Sequence, residues 1–132
     1  MRCKPVMHAA QRRALLLCAL LAASGRALAH AALVRSDPAR RATLSKPPTQ
    51  IRLWFNERLE PAYANISLFK DRAGAIVHAP GQVDKTDAKL LVLDLPPLAP
   101  GAYTVKYRVL SVDGHSVESS YTFSVTQAPG SP

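Results

Sequence analysis

Sulfur is scarce in this chain, and the little there is lies near its beginning. The 132 residues include two cysteines, Cys3 and Cys18, and two methionines, Met1 and Met7. No sulfur-containing residue follows Cys18. The remainder of the chain therefore has no disulfide bond to stabilise it and no thiolate or thioether to bind a metal.

A hydrophobic run long enough to cross a bilayer is also missing. The apolar run at residues 14–23 spans about ten residues, against the roughly twenty that a transmembrane helix needs. It follows a basic start and precedes Ala27-Leu28-Ala29, which matches the pattern after which signal peptidase cleaves. Residues 1–29 are therefore predicted to be a cleaved signal peptide that directs the chain to the periplasm. The mature chain is not expected to insert into the membrane.

The export route stays open, because Arg12-Arg13 before an apolar run also resembles a twin-arginine signal. Cleavage after Ala29 leaves one domain at residues 30–126 and a disordered tail at residues 127–132. Five of the seventeen basic residues and none of the nine acidic ones lie in the predicted signal. The net charge that remains is +3, which gives no indication of a nucleic-acid partner.

Helical periodicity is absent after residue 30, whereas short alternating or aromatic-rich runs recur between proline, glycine and aspartate. About seven short strands in about 100 residues are typical of an all-β sandwich or Greek-key barrel. The strands are predicted near residues 31–36, 50–55, 65–70, 75–78, 90–94, 101–109 and 119–125.

Alternation within these runs identifies the packed faces. Trp54 and Phe55 are neighbours on one predicted strand, so they must point to opposite faces, and at most one can lie in the centre of the core. The other residues predicted to face the core are Tyr103, Val105, Tyr107, Val109, Tyr121, Phe123 and Val125.

Three features are not explained by packing: His30 at the predicted cleavage point, the triplet Asp113-Gly114-His115, and Glu57 at the end of a strand. An Asp-Gly pair between two strands is a strong signal for a tight hairpin turn, and this structural role is one interpretation of the triplet. The other is a metal site, because residues two apart in an extended chain place both side chains on one face. Glu57 could equally be an ordinary acidic residue that closes a strand.

If cleavage falls after Ala29, the free α-amine and the imidazole of His30 can chelate one metal ion. With a nitrogen from His115 and an oxygen from Asp113, they make a set of four nitrogen and oxygen ligands. Cu(II) favours such a set in tetragonal geometry, and it binds most tightly among the divalent first-row metals. His78 lies in a short apolar run before Pro80 and is interpreted as a surface or strand-end histidine.

The chain from His30 to Val125 resembles the CopC family of periplasmic copper-resistance proteins. The resemblance rests on five segments: His30-Ala31 with Ser36-Asp37-Pro38, Leu53-Trp54-Phe55-Asn56-Glu57, Gly101-Ala102-Tyr103-Thr104-Val105, Ser111-Val112-Asp113-Gly114-His115, and Tyr121-Thr122-Phe123-Ser124-Val125.

The resemblance implies an immunoglobulin-like or cupredoxin-like β-sandwich that binds Cu(II) through the N-terminal histidine, Asp113 and His115, with Glu57 as a weaker or axial contributor. Relatives with a second, Cu(I) site have several methionines in mid-chain, and this chain has none there, so only Cu(II) binding is expected. The chain departs from the family at Glu118 and Ser119, where small residues and a glycine are common. Relatives are often paired with or fused to a membrane copper-import protein, which is the implied partner.

The leading hypothesis is an exported protein, without enzymatic activity, that sequesters or delivers Cu(II) in the periplasm. Two alternatives remain. One is a copper mono-oxygenase with a histidine brace; against it, Asp113 would occupy the coordination position that oxygen chemistry must keep open. The other is an immunoglobulin-like interaction module without metal, in which His30 would be dispensable.

Overall fold

The computed structural model describes residues 31–127, so the predicted signal peptide, His30 and residues 128–132 of the predicted tail lie outside the described residues. Within that range the chain forms short strands and one 3₁₀ turn at Pro61–Tyr63. The strands are β1 (Leu33–Asp37), β2 (Thr43–Leu44), β3 (Gln50–Phe55), β4 (Asn65–Lys70), β5 (Gly74–Pro80), β6 (Gln82–Val83), β7 (Leu90–Asp94), β8 (Gly101–Leu110) and β9 (Ser116–Val125).

The strands form two sheets that enclose one core, so the predicted all-β sandwich is confirmed. One sheet has the order β1-β3-β7-β6, and the other has the order β2-β9-β8-β4-β5. Neighbouring strands are antiparallel except β2 and β9, which pair in parallel. In the described part of the chain, no helix is long and apolar enough to cross a membrane.

The core lies between the two sheets, where alternate residues of each strand point inward. All seven predicted core residues of β8 and β9 are buried. Tyr103 stacks on Phe123 with ring centroids 5.3 Å apart, and Tyr107 meets Phe55 edge to face at 5.6 Å. Such aromatic pairs add to the stability that burial alone provides. Alternate residues of β8 are thus buried up to the turn, whereas β9 is firmly packed from Tyr121 onward.

Trp54 and Phe55 lie on opposite faces of β3, as predicted. Phe55 is 2% exposed in the core, whereas Trp54 is half-buried on the outer face. There the guanidinium carbons of Arg35 and Arg52 lie 4.5 Å and 4.9 Å from the centre of its ring. The outer face of this sheet therefore carries an aromatic ring stacked with two cations.

The seven predicted strands are all present, and two further strands were missed. β2 and β6 have two residues each, too few to show an alternating pattern. β9 begins at Ser116, three residues before its predicted start. The sequence 116–120 contains little that is apolar, but it pairs fully with the end of β8. Backbone pairing with β8 therefore extends the strand beyond its apolar pattern.

Candidate metal centre

The turn between β8 and β9 comprises residues 111–115, and it is the turn that the Asp-Gly pair predicts. The backbone N–H of Ser111 donates to the carbonyl of His115 at 2.9 Å, and the N–H of Gly114 donates to the carbonyl of Ser111 at 2.9 Å. Gly114 has a φ of +93°, in the region that glycine adopts without steric cost. The turn is therefore fixed by its own hydrogen bonds at the end of a packed hairpin.

Asp113 and His115 meet within this turn. Nδ1 of His115 lies 3.1 Å from Oδ1 of Asp113, and the backbone N–H of His115 donates to the same oxygen at 3.1 Å. The hydroxyl of Ser111, which is 1% exposed, also donates to Oδ1 of Asp113. The structure thus brings together the carboxylate and the imidazole that the spacing of two residues predicts on one face.

The hydrogen bonds hold Asp113 in its ionised form. The hydroxyl of Ser111 is the main cause that lowers the pKa of Asp113. Desolvation, second in size, raises it, and the backbone and ring of His115 lower it further. A carboxylate that accepts several hydrogen bonds is stabilised in its charged state. Asp113 is therefore a charged carboxylate beside a histidine, and the charged form is the one in which a carboxylate binds metal ions.

A second segment, residues 56–60, lies against this turn. Leu59 pairs with Ser111 in an isolated antiparallel bridge, and the N–H of Val112 donates to the carbonyl of Arg58 at 3.0 Å. Glu57 precedes this contact and is half-buried. Glu57 therefore lies on a segment that contacts the turn. However, residues 31–127 contain no group of three histidine, cysteine, aspartate or glutamate side chains placed to hold one ion. The role of Glu57 as a metal ligand therefore stays a prediction.

The start of the described chain is attached to the same segment. The N–H of Ala32 donates to Oδ1 of Asn56 at 2.6 Å, and the N–H of Asn56 donates to the carbonyl of Ala32 at 3.0 Å. Ala31 is 2% exposed and belongs to the core. Ala31 and Ala32 are thus held in place beside Asn56, which directly precedes Glu57. They lie at the end of the sandwich that carries the turn.

Asn56 has no predicted role in the sequence analysis, although the structure makes it the contact that positions the chain start. A polar amide directly after a buried strand and directly before Glu57 was a signal that could have indicated it. His78, by contrast, lies exposed on β5 with Nδ1 2.5 Å from Oγ of Ser67, as its interpretation as a surface histidine implies.

The arrangement can hold a borderline or hard metal ion through nitrogen and oxygen. Asp113 and His115 can supply one oxygen and one nitrogen within a hydrogen-bonded turn, and tetragonal Cu(II) requires four such ligands. The described residues provide no sulfur ligand. The fixed chain start is the element that can bring further donors from residue 30.

Comparisons with known proteins give the chain a family context. The CopC domain family matches residues 33–126. The chain is 37% identical over 98 residues to "Protein YobA" of Escherichia coli, covering 74% of this chain and 79% of that protein. It is 38% identical over 109 residues to "Copper resistance protein C" of Xanthomonas campestris pv. juglandis, covering 78% of this chain and 85% of that protein. It is 26% identical to "Copper transport protein CutJ" of Bacillus subtilis, of which it covers 19%.

Solved structures with a similar backbone belong to the same group of proteins. The crystal structure of CopC from Methylosinus trichosporium OB3b is 35% identical, with a TM-score of 0.73, and the match covers 78% of this chain and all of that one. The methionine-rich copper resistance protein PcoC of Escherichia coli is 27% identical, with a TM-score of 0.59, and the match covers 74% of this chain and all of that one. Both sequence and backbone therefore place the described domain among relatives several of which are named for copper resistance or copper transport.

Proposed function

The chain belongs to the CopC family of copper resistance proteins, and from that premise we propose that it binds one Cu(II) ion at the turn that carries Asp113 and His115. The observation that carries the proposal is the contact of 3.1 Å between these two side chains. A histidine nitrogen and a charged oxygen in a fixed turn form a partial Cu(II) site without a large rearrangement.

His30 is proposed to complete the site with its α-amine and its imidazole. Support comes from its covalent neighbour, because Ala31 is buried and Ala32 is bonded to Asn56 at the end of the sandwich that carries the turn. Consecutive Cα atoms are about 3.8 Å apart, so residue 30 starts from a fixed point. Glu57 is proposed as a weaker, axial contributor.

The chemical type of the proposed ligands determines which oxidation state of copper the site prefers. Thioether and thiolate ligands select Cu(I), whereas imidazole, amine and carboxylate suit Cu(II). The relative PcoC is described as methionine-rich, but this chain has no methionine after Met7. The proposed site is therefore a Cu(II) site, and no second site for Cu(I) is proposed.

We propose that the protein works in the periplasm, where it sequesters copper or delivers it to a membrane import protein. The alignment with part of a much longer copper transport protein supports a link between this domain and transport. The mono-oxygenase alternative is not favoured, because the carboxylate of Asp113 lies within the site beside His115 and would take a position that oxygen must reach.

A titration tests the proposal. Protein whose N-terminus has been verified as His30 by mass spectrometry should bind one equivalent of Cu(II), with an electron paramagnetic resonance spectrum of mixed nitrogen and oxygen ligation. Under anaerobic conditions ascorbate should then release the copper to a Cu(I) chelator. A metal-free interaction module would bind no copper tightly, and tight retention of reduced copper would contradict the proposed ligands.

A further inference from the structure

The positive charge of the described domain is concentrated in its first strands. Residues 31–56 contain five basic residues and one acidic residue, whereas residues 57–127 contain seven basic and eight acidic ones. The net positive charge thus comes entirely from β1, β2, β3 and the segments that join them. Four of these cations are exposed arginines, here called the basic edge: Arg35, Arg40, Arg41 and Arg52.

The topology places the basic edge on one flank of the sandwich. β1 is the outer strand of one sheet and β2 is the outer strand of the other. Residues 38–42 join them directly and carry Arg40 and Arg41. Arg40 lines a shallow depression of about 270 Å³ together with Arg35 and Val34. The arginines are therefore neighbours in space as well as in sequence.

These arginines are only partly neutralised within the domain, since the charge of Arg52 helps to lower the pKa of Asp84. In the part of the chain that the structure describes, none of them forms an ion pair with a carboxylate. Arg35 and Arg52 instead stack on the ring of Trp54. Stacking holds the aliphatic part of each side chain while its charge stays available to an anion.

The shape of the flank indicates what kind of partner it fits. Val34 is 63% exposed and lies at an irregularity in the pairing of β1 with β3, between Leu33 and Arg35. Such a bulge on an edge strand opposes the addition of a strand from another protein. No exposed aromatic of the described residues lies on β1 or in residues 38–42, and Trp54 on β3 is half-buried beneath Arg35 and Arg52. The flank therefore offers a protein partner no exposed aromatic anchor.

We propose that the basic edge binds the surface of a membrane that contains anionic phospholipids. Binding to a lipid surface requires neither strand pairing in a fixed register nor a pocket. It requires several cations close together, with an exposed apolar side chain and a tryptophan near the headgroups. The chain enters β1 beside Asn56, at the end of the sandwich that carries Asp113 and His115, and β1 runs away from that end to Asp37. The basic edge therefore occupies a flank of the sandwich. A membrane bound to this flank leaves the end with Asp113 and His115 accessible to solvent. The proposal does not depend on copper binding.

Vesicle binding by the exported chain tests the proposal, with co-sedimentation and the fluorescence of Trp54, the single tryptophan, as measurements. The chain should bind vesicles of phosphatidylglycerol and phosphatidylcholine at about 0.01 M salt and should not bind vesicles of phosphatidylcholine alone. Binding should weaken strongly at about 0.15 M salt, where the Debye length falls from about 30 Å to about 8 Å.

Two charge-matched variants locate the surface. Replacing Arg35, Arg40, Arg41 and Arg52 with glutamine should weaken binding by roughly several hundredfold, because each of the four cations at an anionic surface contributes about fivefold. Replacing Lys70, Arg72, Lys106 and Arg108, on the other sheet, removes the same charge and should weaken binding less than about fivefold. The double variant Arg40→Gln/Arg41→Gln keeps Arg35 and Arg52 stacked on Trp54. It should lose an intermediate part of the vesicle affinity. It therefore tests the basic edge even if the fourfold variant misfolds.

Equal loss in the two charge-matched variants, or no binding to the anionic vesicles at low salt, would overturn the proposal. Retention on immobilised polyglutamate without vesicle binding would also overturn it, because that result assigns the flank to an acidic protein. Cu(II) titration of the same variants should match the parent, so failure of this proposal can be distinguished from failure of the copper site.

Discussion

Nδ1 of His115 lies 3.1 Å from Oδ1 of Asp113, about as close as two neighbouring ligands of one metal ion. The two atoms face each other within one turn, so a single ion can reach both. Nδ1 of His115 and Oδ1 of Asp113 are therefore the atoms that we expect to bind copper. The backbone N–H of His115 also donates to Oδ1 of Asp113 at 3.1 Å, and this bond positions the carboxylate beside the ring.

Replacing His115 with alanine should weaken Cu(II) binding by on the order of 100-fold or more, because one of the strong nitrogen ligands is lost. The fold should persist, because the side chain is partly exposed at a turn. Isothermal titration with Cu(II) measures the affinity, and circular dichroism checks the fold. His78→Ala is the matched control, since His78 is the only other histidine among residues 31–127. Equal affinity of His115→Ala and the parent would show that the ligand is assigned wrongly.

Replacing Asn56 with alanine should reduce Cu(II) affinity about 10-fold to 100-fold, the range typical of residues that position ligands. The reason is that Oδ1 of Asn56 holds the N–H of Ala32 at 2.6 Å, which fixes the chain next to His30. Gln50→Ala removes a comparable amide from the other end of β3, where Gln50 bonds Asp94 at 2.7 Å. That variant should bind copper like the parent. If both variants lose affinity equally, the effect belongs to the sheet and not to the chain start.

The strands were predictable because their pattern is local, whereas the assembly of the site is not. Tyr103 and Tyr107 alternate with Thr104 and Lys106, and this alternation alone assigns one face to the core. The proximity of Asp113 and His115 is local too, because both lie in one turn.

Contacts between distant segments could not be predicted. Ala32 bonds Asn56 across 24 residues, and Leu59 pairs with Ser111 between the two sheets. The first depends on which strands pair within a sheet and the second on how the two sheets pack, and no periodicity records either. β2 escaped detection for a related reason, since Thr43 and Leu44 become a strand only through their pairing with β9.

Replacing Ser111 with alanine should raise the pKa of Asp113 toward its ordinary value, because the serine hydroxyl is the main cause that lowers it. The sign follows from linkage. A carboxyl group whose pKa is lowered by folding stabilises the fold above its unfolded pKa, and this contribution is lost as the pH falls through the folded value. In the variant Asp113 should therefore protonate at a higher pH, and Cu(II) binding should fail at a higher pH than in the parent.

Carboxyl titration by nuclear magnetic resonance on the metal-free protein measures this shift. Thr86→Ala is the matched control, because the hydroxyl of Thr86 is the main cause that lowers the pKa of Asp84. It should raise the pKa of Asp84 and leave that of Asp113 unchanged. An unchanged Asp113 titration in Ser111→Ala would contradict the role assigned to the serine hydroxyl.

Processing at Ala29 is the step that we expect to create the complete site. A backbone nitrogen ligates copper readily as an amine only when it is a free, neutral terminus, and an α-amine has a pKa of roughly 7.7 to 8.0. Copper must therefore displace a proton from it near neutral pH. In the precursor the same nitrogen is part of a peptide bond, so copper should load fully only after export, whichever export route is used.

Protein that starts at His30 should consequently bind Cu(II) more tightly than protein that starts Gly-Ser-His30, because the extension removes the amine ligand and the chelate ring it forms with the imidazole. The fold should be the same in both, since the extension precedes the buried Ala31. Cu(II) affinity and electron paramagnetic resonance spectra of the two proteins provide the comparison, and His30→Ala, with a free amine but no imidazole, separates the two nitrogens. Identical affinity and spectra with and without the extension would rule out ligation by the terminal amine and leave a site built on Asp113 and His115.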